Sequence, residues 1–343
     1  MSRPHSTSLG LGAADHASPG DQATARRHVL SRALLPRVLP WVLPWAAGPA
    51  WFVAALATWR WPDADDFPDT NQLAALFLAI GLALTAAAAL RRLSARAPWA
   101  IALGLGFAAW EIVQAKLLWL PRPFFGTPQD LLDVFLTDWK RLGDSLLHSL
   151  GLLAVGYGAG SALGIATGVG LGRSPRVRYW VQPVIRLIGP LPPVALLPLA
   201  FVLIPSSRLA SEALLALAAG FPTAILTWSG VAAVDPAYYD VARTMGARNR
   251  FLVLRVALPA AMPQIFVGLF MGLGVSFATL VVAEMLGVKS GLGFYMQWAQ
   301  GWAAYPNMYA ALLVMSLMCT GLVTLLFKLR DRVLSWQKDG LKW

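Results

Sequence analysis

Residues 145–172 read SLLHSLGLLAVGYGAGSALGIATGVGLG, an apolar run long enough to cross a bilayer as a helix. At about 1.5 Å per residue, roughly 20 apolar residues span a hydrocarbon core of about 30 Å. Glycines recur in this run at intervals of four, at Gly156, Gly160, Gly164, Gly168 and Gly172. This spacing places them near one helix face, where small residues let a second helix approach closely. The alternative is low-complexity filler, but the shared register favours helix packing.

Other apolar runs precede and follow this one, so the chain is predicted to be an all-α integral membrane protein. The composition agrees, because 57% of the residues are hydrophobic and 13% are charged, whereas a soluble domain carries about 25% charged residues. About eight transmembrane helices are expected from the apolar runs at 38–59, 72–90, 97–120, 145–172, 179–204, 209–234, 263–287 and 307–328.

The charges between the apolar runs predict the topology. Every second connection is rich in Lys and Arg, whereas the connection after the first run carries four aspartates against the single Arg60. Because connections rich in Lys and Arg face the cytoplasm, both termini are predicted to lie inside. The formal net charge of +11 therefore reflects membrane topology, and nucleic acid is not an expected partner. The four histidines are scattered and Cys319 is the single cysteine, so no metal site is expected.

The fifth run is rich in proline, which removes helix hydrogen bonds and clashes with the preceding turn. Irregular backbone at membrane depth is tolerated where it is buried in protein or lines a watery cavity. This run is therefore predicted to line the translocation path, and a bent structural helix away from the path is the alternative. The candidate path residues in this run are Arg186, Pro190, Pro192, Pro193 and Pro198.

Few ionisable residues lie inside the runs, and such residues usually face the bundle interior or water. Glu111 and Lys116 are five residues apart, which predicts poor pairing on one helix. Lys116 is expected to extend toward the membrane interface instead. Arg186 can likewise reach the inner interface. Glu284 is a candidate for the path, and a structural hydrogen-bonding anchor is the alternative.

The connection at 235–262 is predicted to contain a short amphipathic helix. Asp235 followed by Pro236 is typical of a helix start, with an N-cap side chain and proline at the first position, and Gly246 can end the helix. Tyr239, Ala242 and Met245 recur at helical spacing. Such a helix is a candidate docking surface for a soluble partner, although composition alone is equally compatible with a solvated loop.

This connection resembles the EAA loop of ABC importer permeases, which reads Glu-Ala-Ala, three residues, Gly, nine residues, Ile, one residue, Leu-Pro. The matching positions are Asp240, Val241, Ala242, Gly246, Val256, Leu258 and Pro259. Asp in place of Glu is a departure that affects the family's polar contact to the ATPase. The resemblance implies ATPase-coupling roles for Tyr239, Asp240, Ala242, Met245, Gly246, Ala247, Arg248, Leu258 and Pro259.

The resemblance extends to residues 171–174, 189–198, 282–287 and 290–294, and covers roughly 98–336. These segments are similar to the branch that imports sulfonates, taurine, nitrate, bicarbonate or thiamine precursors. The expected domains are a disordered basic N-terminus, two additional transmembrane helices, a permease domain and a cytoplasmic tail. Their expected boundaries are 1–37, 38–97, 98–336 and 337–343.

The resemblance implies a permease subunit in the bacterial inner membrane rather than an enzyme. The implied partners are cytoplasmic ATPase subunits, a second permease copy, an extracytoplasmic solute-binding protein and membrane lipid. The sequence contains no Gly-x-x-x-x-Gly-Lys-Ser/Thr phosphate loop, so ATP and Mg²⁺ are expected on the partner ATPase, with no cofactor on this chain.

The implied substrate is a small anion such as a sulfonate, taurine, nitrate or bicarbonate, and a thiamine precursor is the alternative. Two rival classes are a secondary transporter without an ATPase and a membrane enzyme. A secondary transporter would need intramembrane acids, for which Glu111 and Glu284 are the candidates, and inverted repeats are typical of that class. A membrane enzyme would need a nucleophile with a base, or a metal constellation, at one depth.

Overall fold

A computed structural model of the chain describes residues 43–90, 96–189 and 191–336, and within these ranges the regular structure is entirely helical. The predicted disordered N-terminus, the predicted tail and Pro190 lie outside the described residues. The chain divides after Trp119 into two compact units, and each is described by itself.

The N-terminal unit contains three helices that pack through glycines and aromatic rings. They are α1 (43–60), α2 (Thr70–Ala89) and α3 (Ala97–Glu111), and a π-helical turn, Ile112–Lys116, extends α3. Trp51 of α1 packs against Phe77 of α2 and Phe107 of α3, with each pair of ring centroids 5.6 Å apart. The indole nitrogen of Trp51 donates a hydrogen bond to the carbonyl oxygen of Ala100 at 2.9 Å.

A buried lysine closes one end of this unit. Lys116 Nζ donates to the carbonyl oxygens of Thr58 at 3.1 Å and Trp61 at 2.8 Å. It also pairs with the carboxylates of Asp63 and, at 3.4 Å, Glu111. The side chains of Lys116 and Glu111 are fully buried. A charged side chain so far from water is stable only when it is paired and hydrogen-bonded, and here the ion pairs join the end of α3 to the connection between α1 and α2.

The prediction that Glu111 and Lys116 would not pair is wrong. It assumed α-helical geometry, in which residues five apart diverge around the helix. The π-helical turn between them has wider i→i+5 hydrogen bonding, as in the bond from the Leu117 N–H to the Ile112 carbonyl oxygen at 3.0 Å. The wider turn brings the two side chains together. Lys116 consequently points toward the connection between α1 and α2, where its ammonium group is buried. Its extension toward the membrane interface stays a prediction.

The C-terminal unit contains the longer helices. Its elements are α4 (Pro128–Thr137), α5 (Trp139–Arg173), α6 (Pro175–Ile188), a 3₁₀ turn (Pro193–Leu196), α7 (Leu197–Leu203), α8 (Ser207–Ala232), α9 (Pro236–Thr244), α10 (Asn249–Phe251), a π-helical turn (Leu252–Ala257), α11 (Leu258–Leu286), α12 (Leu292–Gly301) and α13 (Tyr305–Val333). The π-helical turn Leu252–Ala257 joins α10 to α11, so residues 249–286 form one long helical segment.

Within the described residues, five helical segments are long and apolar enough to cross a membrane. They are Thr70–Ala89, Trp139–Arg173, Ser207–Ala232, Asn249–Leu286 and Tyr305–Val333. The pair Pro175–Ile188 and Pro193–Leu203 would add a sixth as one broken span, bent by 86°. The predicted run at 38–59 is helical where it is described, and the run at 97–120 is helical over 97–116. Their crossing of the membrane stays a prediction.

The glycines of α5 lie against α8. A Cβ on Gly164 would lie 2.6 Å from the Gly220 carbonyl oxygen, and one on Gly160 would overlap the backbone of Ala216. A Cβ would likewise be too close to Leu215 if placed on Gly156, to Ala224 and Thr227 if placed on Gly168, and to Val231 if placed on Gly172. Because none of these glycines carries a side chain, the two backbones approach closely along most of their length.

The third long helix, α11, packs on α8 by the same means. A Cβ on Gly272 would lie 2.8 Å from the Ala219 carbonyl oxygen. The hydroxyl of Tyr157 in α5 donates to the carbonyl oxygen of Leu269 in α11 at 3.0 Å. The helices α5, α8 and α11 therefore form the centre of the unit, and the connections at their ends carry the candidate sites.

Gly160→Ala is expected to destabilise the C-terminal unit, because its new methyl group overlaps the backbone of Ala216. The expected cost is about 1–3 kcal/mol, seen as a lower thermal midpoint of the detergent-solubilised protein. Gly158→Ala is the matched control, because nothing lies within 4 Å of a Cβ at Gly158. Equal midpoints for the two variants would contradict close α5–α8 packing.

Lys116→Met is expected to lower the stability of the N-terminal unit, because it removes a cation that pairs with the buried Glu111 carboxylate. Breaking a buried ion pair from one side costs about 3–5 kcal/mol. Adding Glu111→Gln to Lys116→Met should recover part of this loss. Thermal unfolding followed by circular dichroism measures both effects, and a double variant less stable than the single one would argue against the pairing.

Candidate functional site: the α9 loop and the α6–α7 bend

The helix α9 is capped at both ends by its own sequence. The Asp235 carboxylate accepts a hydrogen bond from the Ala237 N–H at 2.9 Å, and Pro236 occupies the first turn. At the other end Gly246 adopts a φ of +80°, a left-handed conformation that glycine reaches without strain. The Ala247 N–H then donates to the Ala242 carbonyl oxygen at 3.0 Å. These contacts hold a short helix between α8 and α10.

The two faces of α9 have different environments. Tyr239 is 8% exposed and packs with Ala242 into an apolar cluster under the helix. Tyr238, Val241 and Met245 point outward, with 66%, 63% and 83% of their surface exposed. The cluster under the helix, called the α9 cluster below, has as its buried members Val231, Val234, Tyr239, Leu252, Ala257, Ala261 and Ile265.

The sequence grouped Tyr239, Ala242 and Met245 on one face, and the structure separates them. The helix ends at Thr244, and the chain turns at Met245 and Gly246, which directs Met245 outward. Tyr238 was not among the predicted site residues, although Tyr238, Val241 and Met245 follow the spacing i, i+3, i+7 of a second stripe.

The other predicted coupling residues also divide between the two environments. Asp240 and Arg248 are exposed, and Asp240 forms an exposed ion pair with Arg243 at 3.3 Å. Ala247 and Leu258 pack against the α9 cluster. Pro259 occupies the first turn of α11. The polar members therefore lie around the exposed apolar stripe, and the apolar members lie beneath it.

The proline-rich segment forms the sharp bend between α6 and α7. Pro192 and Pro193 line a cavity of about 240 Å³. Its wall is completed by Ile188, Gly189, Leu191, Leu217, Ala218, Phe221, Pro222 and Val275. The bend thus meets residues of α8 and α11 around an open space, as expected of a segment beside a path.

Arg186 and Pro198 lie away from the lining of that cavity. Arg186 is exposed and lies in an open cleft along α6 with Arg178, Tyr179 and Gln182. Pro198 is exposed in the first turn of α7. The predicted path residues are consequently not one cluster, because the bend turns successive parts of this segment in different directions.

Glu284 is buried at the opposite end of α11 from α9, in a hydrogen-bond network. Ser149 Oγ donates to Glu284 Oε1 at 2.7 Å, and the Gly293 N–H donates to Oε2 at 2.8 Å. The Leu292 N–H donates to Ser149 Oγ at 2.8 Å. Gly291, with a φ of +101°, leaves room for the carboxylate.

These contacts place the Glu284 carboxyl group at the N-terminus of α12, where it accepts a hydrogen bond from an N–H group that has no partner within the helix. The network joins α5, α11 and α12. Such contacts are those of a hydrogen-bonding anchor, the alternative to a path role for Glu284. Glu284 also borders a cavity of about 200 Å³ together with His148 and Arg208.

Residues 160–336, more than half of the chain, match the family described as binding-protein-dependent transport system inner membrane component. The chain belongs to this family. This confirms the prediction that the chain is an ABC importer permease. The permease is a multi-pass protein of the inner membrane. The matched range includes most of the α5 glycines, the whole of α9 and Glu284.

Individual relatives agree with the family match. The permease is 29% identical to a probable ABC transporter permease protein of Brucella abortus, over 69% of this chain and 94% of that protein. It is 31% identical to the taurine transport system permease protein of Escherichia coli, over 67% and 86%. It is also 31% identical to the nitrate import permease protein of Synechocystis, over 54% and 66%.

Glu284→Ala in the permease is expected to lower stability by about 1–3 kcal/mol, because the buried Ser149 hydroxyl and Gly293 N–H lose their acceptor. Asp331→Ala is the control, since Asp331 is exposed and forms a surface pair with Arg330, which is worth about 1 kcal/mol or less. Thermal midpoints in detergent measure the difference. Normal stability with abolished uptake would instead assign Glu284 to the path.

Proposed function

We propose that the permease forms the path of an importer for a small anion, and that α9 is the contact through which a separate ATPase drives it. One observation carries this proposal. A helix capped at both ends presents Tyr238, Val241 and Met245 to the outside, within the part of the chain that matches the permease family. An exposed apolar stripe on a fixed helix is a surface suited to a partner's groove.

The charges around the stripe fit the same interpretation. Asp240, Arg243 and Arg248 are exposed beside it, which gives an apolar centre with a polar edge. Interfaces between soluble partners have this composition. The apolar centre supplies affinity, and the charged edge supplies register and a faster encounter.

The proposed topology has eight crossings, with both termini in the cytoplasm. The basic connections support it, because Arg173, Arg176 and Arg178 follow α5, and further arginines follow α9. Connections rich in Lys and Arg are retained on the cytoplasmic side. The Glu284 network then belongs to the extracytoplasmic end.

The proposed assembly contains cytoplasmic ATPase subunits, a second permease copy and an extracytoplasmic solute-binding protein. ATP and Mg²⁺ are bound by the ATPase, since the sequence contains no phosphate loop of its own. The permease itself carries out no hydrolysis and holds no cofactor. Its contribution is the path, which is proposed to pass the α6–α7 bend beside Pro192 and Pro193.

The proposed substrate is a small anion. Relatives named for taurine, nitrate and aliphatic sulfonates support this class, because each of those molecules carries an anionic oxygen-bearing group. The exposed Arg186 on α6 is a cation that such a group can meet near the bend.

Met245→Glu and Val241→Glu are expected to prevent docking, because each places a charge in the centre of the apolar stripe. Tagged permease should then recover at least about tenfold less ATPase from membranes of its native host, the effect of about 1.4 kcal/mol. The wild-type permease is first tested for ATP-dependent uptake of labelled taurine, nitrate and an aliphatic sulfonate. Uptake of the anion that it transports should fall in parallel in the two variants.

Ser335→Glu is the control, because it adds the same charge at an exposed residue near the end of the described chain, outside the α9 loop. It should leave docking and uptake unchanged. Full docking and uptake by the Met245 and Val241 variants would reject the coupling role of α9. Uptake of none of the three anions by the wild-type permease, with docking intact, would reject the substrate class alone.

A further inference from the structure

An arginine at the end of α5 stacks on the buried tyrosine of α9. Arg173 is the last residue of α5, and its guanidinium carbon lies 4.5 Å from the centroid of the Tyr239 ring. A guanidinium within about 6 Å of an aromatic ring centroid is attracted to the ring face. Tyr239 is 8% exposed, so water is largely excluded from its ring, which strengthens the contact.

The stack is the interaction that joins these two side chains. Among the described residues, neither Arg173 Nε nor the Tyr239 hydroxyl has a hydrogen-bond partner. The contact therefore depends on the positive charge and on the aromatic ring, and not on the hydroxyl group. A phenylalanine should serve in place of the tyrosine, whereas an aliphatic residue should not.

The position of the stack gives it a mechanical role. The chain links α9 directly to α8 on one side and to α10 on the other, whereas α5 is connected to α9 only through space. The α9 cluster provides apolar contacts to Ile165 and Val169 of α5. Apolar contacts of this kind can slide, but a guanidinium stacked on a ring keeps a preferred position.

We propose that the Arg173–Tyr239 stack is the joint through which a movement of α9 is transmitted to α5. Since α5 and α8 touch along their backbones, a displacement received at Arg173 moves both helices together. Arg173 and Tyr239 are thus positioning residues beneath the docking surface, which is formed by different side chains. This inference rests on the proposed function and adds to it the route from the ATPase contact to the membrane helices.

The distinguishing measurement is the amount of substrate transported per ATP hydrolysed. The wild-type permease and its variants are reconstituted in proteoliposomes with the ATPase that co-purifies with the tagged permease and with its solute-binding protein. Tyr239→Leu and Arg173→Met should each lower this ratio by about two- to thirty-fold, the range expected for a cation–π contact. Both variants should retain the co-purified ATPase, because the exposed stripe is intact.

Three further variants sharpen the test. Tyr239→Phe keeps the ring and should keep the transport ratio. Arg176→Met removes a neighbouring arginine that is exposed, and it should also keep the ratio. The double variant with Arg173→Met and Tyr239→Leu should be no worse than either single variant, because partners in one contact are not additive.

The outcomes separate this inference from the proposed function. Failure of the wild-type permease to retain any ATPase would reject the proposed function. If Tyr239→Leu and Arg173→Met retain the ATPase and have normal transport ratios, the joint is rejected and the proposed function is unaffected. Three results would each overturn the stacked contact as the joint. They are an equal loss of the transport ratio in Tyr239→Phe and Tyr239→Leu, additive losses of that ratio in the double variant, and loss of docking with unchanged thermal stability.

Discussion

Backbone contact between α5 and α8 is the constraint on which the C-terminal unit depends. In lipid, apolar side chains gain little by meeting one another, so helices associate where their surfaces fit closely. Gly160, Gly164 and Gly168 provide that fit by bringing α5 onto the backbone of α8. The helix α11 then packs on α8 across Gly268 and Gly272. With three long helices in fixed contact, the connections at their ends become defined surfaces.

Buried polar groups complete the two units, and each is held by several partners. Lys116 in the N-terminal unit binds two carbonyl oxygens and two carboxylates. Glu284 in the C-terminal unit accepts from a hydroxyl and from the N-terminus of α12. Because an unpaired polar group in a low-dielectric surrounding is costly, these networks favour one arrangement of the elements they join. The α6–α7 bend has no comparable network in the described residues, and it borders a cavity instead.

In the proposed function, the helix α9 has an outer surface for a partner and an inner surface that transmits movement. Tyr238 and Val241 of the exposed stripe lie on a different face of this nine-residue helix from the buried Tyr239. In this proposal, an external displacement of α9 is received on its exposed face and passed on by its buried face. Because the backbones of α5 and α8 are in contact, the proposed movement of α5 also displaces α8. It then reaches the α6–α7 bend, whose cavity is lined in part by residues of α8 and α11.

Apolar length, charge bias and the capping signals around Asp235 and Gly246 determined the membrane class, the helical elements and the presence of α9, because each depends on residues close in the chain. The resemblance at Asp240, Gly246 and Pro259 likewise indicated the permease family. Tertiary structure decided which face of α9 is exposed, how Glu111 meets Lys116 across a π-helical turn, and that Glu284 binds the start of α12. Those outcomes depend on turns that depart from regular α-helical hydrogen bonding. They also depend on partners that are far apart in the chain, such as Ser149 and Glu284. Local spacing carries no information about such partners, because only packing brings them together.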